Sequence, residues 1–367
     1  MTTHSKATAP GAMIVHLISV WGLLVLLVVL VVVFSLLLPN TFPTAFNFRS
    51  IVSNKSIQAL LALAVLIPMV ANHFDLSTGF MLGLAQVLAI GLQSQDGQGL
   101  PWPVACAVVL AIGAAVGFFN GLLVTRVKMD SFIATLGTGT LIYGLNSWYT
   151  GGQQVLAVLP HSFTAISATL KIGGFGLPAT AIYVLVISIG LWIVLEYTPL
   201  GRQLYVLGAN PRAAELNGIS APRRVTLAFV ASGMLAAFAG IVLQSQLQVG
   251  QSSVGQEYLL PAFTAALLGA TSIRPGRVNV WGTVLAVAVL AVTVAGLNQM
   301  GAPFFVEPLF NGAMLILAVG LAVTVARRRI TTGGRADAAA HRQSVPQRLT
   351  PIDPDAGRET DPPAQSG

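Results

Sequence analysis

The chain has 367 residues, of which 54% are hydrophobic and only 8% are charged. A soluble domain carries about a quarter charged residues, so this composition excludes a water-covered globule and makes lipid the solvent for most of the chain. The net charge of +7 does not point to nucleic acid, because the basic residues sit in short clusters between apolar runs, the pattern of a membrane protein orienting itself.

A helix crosses the bilayer with about 20 apolar residues. Runs that qualify or nearly do are 14–38, 56–72, 76–93, 102–125, 131–149, 178–196, 225–247, 258–271, 279–299 and 305–326. They predict an all-α polytopic membrane protein with about ten transmembrane helices. The short or closely spaced runs 56–72, 76–93 and 258–271 are the candidates for broken helices. The first run exceeds the ~7–15-residue core of a signal peptide and no small-x-small cleavage site follows it, so it reads as an uncleaved span. The single cysteine, Cys106, lies in an apolar run and makes no intrachain disulfide.

With the N-terminus inside and the spans alternating, the inside loops hold Arg126 and Lys128, then Arg202, Arg212, Arg223 and Arg224, then Arg274 and Arg277, then Arg327 to Arg329. The outside loops hold only Arg49, Lys55 and Lys171. This positive-inside bias predicts cytoplasmic N- and C-termini. The expected organisation is a cytoplasmic N-terminus at 1–13, a transmembrane domain at 14–329 and a cytoplasmic tail at 330–367. The tail is rich in Pro, Asp and Arg and poor in large apolar residues, a composition expected to stay disordered.

Four features carry candidate chemistry. The segment HFDLSTG, 73–79, puts Asp75 between two apolar runs, where a carboxylate is costly unless satisfied. Asp75 and Ser77 suit an N-terminal helix cap; a substrate or gating contact is the other reading. In the fourth run Gly113, Gly117 and Gly121 recur on one helix face and fit close packing in lipid, with Asn120 beside them as a polar candidate for lining a path. The fifth run carries Thr135, Thr138, Thr140, Tyr143 and Asn146, neutral groups that suit a polyhydroxylated solute and equally serve interhelical hydrogen bonds. The stretch 198–224 is the longest polar, basic interruption: Asn210 can cap a helix, Pro211 fits its first position and Gly218 can close it.

The chain has no GxxxxGK[ST] phosphate loop, no metal-spaced His/Cys cluster and no nucleophile elbow. Of the acids between 14 and 326, all but Asp75 fall at or near span ends, and no pair looks poised for acid–base work or ion coupling. No cofactor, metal or catalytic residue is therefore expected. A transporter so equipped is passive or driven by a partner.

The strings FDLSTG (74–79), GFFNGLLVTRVKMDSFIATLGT (117–138), TPLGRQLYVLGANPRAAELNGIS (198–220) and LLGATSIRPGRVNVWGT (267–283), in this order and spacing, resemble the permease subunits of bacterial ABC importers for ribose, xylose and related monosaccharides. The likeness runs from about Phe42 to Arg328. His73 stands where the family usually has Gly, and Leu259 and Pro261 where many members have acids. The resemblance implies an all-α fold of about ten spans, a pore made by two permease subunits (a second copy or a paralogue), an ATPase partner and a periplasmic sugar-binding protein. It also implies that the loop matching 198–220 docks into the ATPase. Gly201, Arg202, Gly208, Asn210, Ala213, Ala214, Glu215, Leu216 and Gly218 are its candidate coupling residues. Ala213, Ala214 and Leu216 are expected to make its buried contacts, so that Ala214→Asp would abolish uptake and leave insertion intact. Asp75, Ser77, Asn120, Thr135, Tyr143 and Asn146 are the candidate path or gate. The alternatives are another small polar solute (a branched-chain amino acid or a nucleoside), or a secondary carrier.

Overall fold

The computed structural model describes residues 10–94, 99–172 and 175–321. The expected tail at 330–367, Arg327 to Arg329 and most of the N-terminal segment 1–13 lie outside the described residues. Each of the ten apolar runs is helical through most of its described length. They form α1 (Pro10–Leu37), α2 (Ala45–Val70), α3 (Ser77–Gly91), α4 (Trp102–Thr125) and α5 (Ser131–Thr150). A short helix α6 (His161–Thr164) and an antiparallel hairpin, β1 (Thr169–Ile172) with β2 (Phe175–Pro178), precede α7 (Ala179–Tyr197). Two short helices follow, α8 (Pro199–Ala209) and α9 (Pro211–Leu216), then α10 (Ala221–Leu247), α11 (Val254–Gly269), α12 (Val280–Gln299) and α13 (Val306–Leu321).

Six of these helices are long and apolar enough to cross a membrane: α1, α2, α4, α7, α10 and α12. The helices α3 and α13 are apolar but shorter. The helix α11 has 16 residues with Pro261 inside it. The helix α5 has 20 residues, diluted by Thr, Tyr and Asn. The run expected to begin at 56 starts at Ala45, because Thr44 caps α2 by accepting from the Asn47 amide at 3.2 Å. The mixed segment 47–56, with Asn47, Arg49, Asn54 and Lys55, therefore joins an apolar helix rather than a loop.

The helix α10 is the centre of the bundle, packed against α2, α3 and α4. Its contact with α4 depends on absent side chains. A Cβ on Gly113 would sit 2.5 Å from the Gly233 carbonyl oxygen, and one on Gly117 would sit 2.2 Å from that of Phe229. Gly121 lies against Thr226 in the same way. Neighbouring helices gain no hydrophobic drive in lipid, so backbone approach through small residues supplies the packing. The expected glycine face is thus an interhelical contact.

Register fixes direction. Asp75 meets Ser232, Gly240 meets Leu82 and Ala85, the start of α5 meets the start of α3, and Tyr149 meets Gly91. The helices α3, α5 and α10 therefore run parallel, and α4 runs against them. One end of the bundle gathers Thr125 beside Thr226, Gly208 against the Val70 carbonyl, and Arg274 on Glu196. The other end holds Gln299 on Asn47, Gln246 on Ser53 at 3.0 Å, and Lys55 paired with Glu307 at 3.0 Å. The basic loops after α4, after α7 and after α11 thus lie together at one end, called the basic end below.

Gly117→Val should force the α4–α10 contact apart and cost about 1–3 kcal/mol or more, as overpacking does. Gly144→Ala, with nothing within 4 Å of its Cβ, should change stability by less than about 0.5 kcal/mol. Thermal unfolding in detergent, read by maleimide labelling of the free, half-buried Cys106, distinguishes the two.

Candidate functional site

Two structures at the basic end stand out, a break between helices and a projecting handle. The break follows α2. Asn72 takes φ 60°, and residues 73–76 leave the helix before α3 begins. A non-helical backbone inside an apolar bundle needs every N–H satisfied. Here two acceptors come from side chains of α5 and one from Asp75 of the break itself. Phe74 N donates to Ser131 Oγ at 3.1 Å, and Leu76 N donates to Thr135 Oγ1 at 3.0 Å. Ser77 N donates to Asp75 Oδ1 at 3.1 Å, and the Ser77 hydroxyl donates to the same oxygen at 2.6 Å. The other carboxylate oxygen, Oδ2, accepts from Ser232 Oγ at 3.0 Å. Asn120 Nδ2 closes the cluster on Ser77 Oγ at 2.8 Å.

The structure therefore brings four of the six predicted path residues, Asp75, Ser77, Asn120 and Thr135, into one buried knot, where Asp75 is 1% exposed. Both carboxylate oxygens of Asp75 accept hydrogen bonds inside the fold. Asn120 Oδ1 is buried and lacks a protein partner. Tyr143 and Asn146 stand apart, roughly 12 and 16 Å up α5 from Thr135 at 1.5 Å per residue. Tyr143 faces outward, 37% exposed, on the face that also carries Leu136 and Thr140. Asn146 is buried and donates to the Ser252 carbonyl at 3.3 Å. Two residues of the knot, Ser131 and Ser232, escaped the sequence reading. Ser131 lies just after the capping Asp130, a visible signal; Ser232 lies among small residues of α10 and gives none.

The handle is α8 with α9. Thr198 caps α8 through the Gly201 amide. Asn210 caps α9, accepting from Ala213 N at 3.0 Å, with Pro211 in the first turn. The end of α9 is a Schellman closure: Gly218 takes φ +73°, its N–H reaches Glu215 O at 2.9 Å, and Ile219 N reaches Ala214 O at 3.1 Å. Gly208 and Gly201 are positions of close approach, the first on the Val70 carbonyl at the end of α2 and the second on Leu195.

Exposure divides the handle's residues. Arg202, Arg212, Glu215 and Leu216 are exposed, and Leu216 is 84% exposed, a large apolar side chain offered to solvent at the basic end. Ala213 is half-buried. Ala214 is different. It is 0% exposed and packs in a core with Val70, Val124, Leu204, Leu207 and Phe229. The expectation that Ala214 offers its methyl to a partner meets a chain that already encloses it. Ala214→Asp would bury a charge in this core, so the substitution tests folding before it tests docking.

Behind the handle lies a second group. The Arg277 guanidinium stacks on the Tyr205 ring, 3.4 Å from its centroid. Tyr205 Oη donates to the Val278 carbonyl at 2.8 Å. Glu196, at the end of α7, pairs with Arg274 and lies 3.9 Å from Arg277. Burial raises the Tyr205 hydroxyl pKa above its ordinary value, with the Arg277 charge opposing. The sequence counts Arg274 and Arg277 only as orienting charges and Glu196 only as an acid near a span end, and gives Tyr205 no role.

A helical bundle with six helices long and apolar enough to cross a membrane, a satisfied break and a capped helix at its basic end is the architecture of a multi-pass membrane protein. The chain belongs to the family described as branched-chain amino acid transport system / permease component, whose model matches residues 47–319. It is 31% identical to the galactose/methyl galactoside import permease of Haemophilus influenzae over 77% of this chain and 87% of that protein. It is 31% identical to the ribose import permease of Escherichia coli over 81% of this chain and 91% of that protein. With the ribose import permease of Bacillus subtilis the identity is 32% over 80% and 89%. No solved structure is a significant match.

Thr135→Val should strand the Leu76 N–H and cost about 1–3 kcal/mol. Thr135→Ser should restore most of it. Thr140→Val should be near neutral, because that exposed hydroxyl bonds only its own helix at Leu136 O. The same unfolding measurement ranks the three.

Proposed function

We propose that this chain is the membrane-spanning permease of an ATP-binding cassette importer that carries a monosaccharide of the ribose or galactose class across the bacterial inner membrane. The carrying observation is the handle: a preformed, capped helix at the basic end, with Leu216 exposed and basic side chains around it. About ten spans cross the bilayer in this reading, and both termini are cytoplasmic, because that orientation puts the basic end inside. The chain hydrolyses nothing. A separate ATPase subunit burns ATP, a periplasmic sugar-binding protein delivers the solute, and two permease copies form the pore.

The roles divide as the geometry does. Leu216, Arg202, Arg212 and Glu215 meet the ATPase, the leucine entering a groove and the arginines facing acidic groups. Asn210, Gly218, Gly201, Gly208 and Ala214 hold the handle in shape, and Ala213 serves both. When two ATPase subunits close, they move α9, and α10 follows because it starts only five residues later. The solute passes along the outward face of α5, which carries Tyr143. The knot of Asp75, Ser77, Asn120 and Thr135 is the hinge against which α3, α4, α5 and α10 shift, with Asn146 steadying the far end of α5. Similarity to sugar permeases over about nine-tenths of their length favours a sugar over the branched-chain amino acid in the family's description.

Leu216→Asp should leave insertion and melting unchanged and lower ATP-dependent sugar uptake in vesicles by tenfold or more, as loss of an interface anchor worth about 2 kcal/mol does. The ATPase subunit should no longer co-purify with the variant. Uptake at the normal rate would sink the docking assignment. Sugar flux through the chain reconstituted without an ATPase would point to a secondary carrier instead.

A further inference from the structure

The loop between α11 and α12 is built as rigidly as the handle, and nothing in the transport reading yet uses it. Asn279 is its hub. Its Nδ2 donates to the carbonyls of Gly269 at 3.2 Å, Ser272 at 3.1 Å and Arg277 at 3.1 Å, and its Oδ1 accepts from Gly282 N at 2.7 Å. One flank of the loop is tied to α1. Ile273 N reaches Val20 O at 3.1 Å, and Ser272 Oγ reaches the same carbonyl at 2.9 Å. The other flank is tied to the handle. The Arg277 guanidinium lies over the Tyr205 ring of α8, the Tyr205 hydroxyl holds Val278 O, and Glu196 pairs with Arg274 beside Arg277.

The Arg277 guanidinium sits over a ring face with the Glu196 carboxylate 3.9 Å away, and the Tyr205 hydroxyl bonds backbone rather than water. A planar guanidinium in that position stacks and pairs together, which a lysine ammonium does not do. The handle is joined covalently to α7 and α10, and it packs on the bundle through Gly201, Gly208 and the buried Ala214. The clamp is a further attachment, leading from α8 through the 270–279 loop toward α11, α12 and α1.

We infer that Tyr205, Arg277 and Glu196 are positioning residues for coupling, joining the handle to the 270–279 loop so that α8 and that loop move as one body during ATP-driven transport. The inference rests on the docking reading above and extends it, since it assigns the second half of the bundle its own share of the stroke. A displacement of α9 carried by α10 reaches α11 and α12 indirectly, through α2 and α3, and α1 through α12. The clamp adds a direct link from α8 to the loop between α11 and α12.

The test uses the full complex in proteoliposomes, with the ATPase subunit and binding protein present, and reads sugar uptake and ATP hydrolysis in the same vesicles. Arg277→Lys and Tyr205→Leu should keep the ATPase bound and hydrolysing while uptake per ATP falls about fivefold or more, the scale of an ordinary coupling energy. Tyr205→Phe retains the ring and should recover most of the loss. The double variant Arg277→Lys with Tyr205→Leu should be no worse than either alone, because both remove one contact. Unchanged uptake per ATP, or uptake and hydrolysis falling together, overturns the inference. Failure of Leu216→Asp to release the ATPase overturns the docking reading instead, so the two failures are distinct. A second measurement needs no weakened clamp. Spin labels at Val206→Cys and Thr271→Cys, with Cys106→Ser, should keep one separation with and without ATP. A change of that separation in a complex that still transports overturns the inference as well.

Discussion

In hydrocarbon a backbone N–H has no water to turn to, and each one left bare costs several kcal/mol. The break between α2 and α3 exists only because this demand is met. Phe74 and Leu76 find hydroxyls on α5, and Ser77 finds the Asp75 carboxylate. The consequences reach far. To supply Ser131 and Thr135, the start of α5 must lie against the start of α3. To supply Ser232 to Asp75, α10 must run beside α3 in the same direction. To bring Asn120 to Ser77, α4 must lie close to α3, and the glycines at 113, 117 and 233 let α4 close on α10 beside it. The placement of four helices follows from a handful of donors.

The same constraint explains why a carboxylate can sit there. Asp75, buried as it is, is an expensive residue unless both oxygens accept hydrogen bonds, and three donors are supplied. Removing one leaves the others with a charge they cannot fully compensate, which makes the knot brittle in the chemical sense: it is either complete or costly. A hinge of this kind favours discrete arrangements over gradual bending. Four helices that share it cannot drift independently, so a movement imposed on α10 must be answered by α3, α4 and α5.

Much of this was legible in the sequence, because the signals were local. Ten apolar runs became helices. The caps Asn210 and Gly218 work as their types suggest, and the glycine face of α4 packs. What stayed hidden was pairwise. Ser232 looks like any small residue on an apolar helix until α3 is laid beside it. Ala214 reads as a contact residue because it lies in a short exposed helix, yet it is the one side chain of that helix turned fully inward. Arg277 reads as an orienting charge, since 72 residues separate it from Tyr205. Periodicity and capping are properties of one segment, whereas burial and stacking belong to two.

The state of the handle bears on how force can pass through it. A six-residue helix is far too short to hold itself in water, since helix nucleation is not repaid before about 12–15 residues. The helix α9 is held by its neighbours: the Asn210 side chain at one end, the Gly218 turn at the other, and Ala214 anchored in the core between them. A partner therefore meets a formed helix, and little of the binding energy goes into ordering it. What remains acts on position. Because Ala214 is fully buried in one core with Leu207 and Phe229, pushing Leu216 cannot rotate α9 in place without disturbing its packing on α8 and α10. The buried alanine thus gives the exposed leucine its leverage, and the two residues do complementary work on opposite faces of the same short helix.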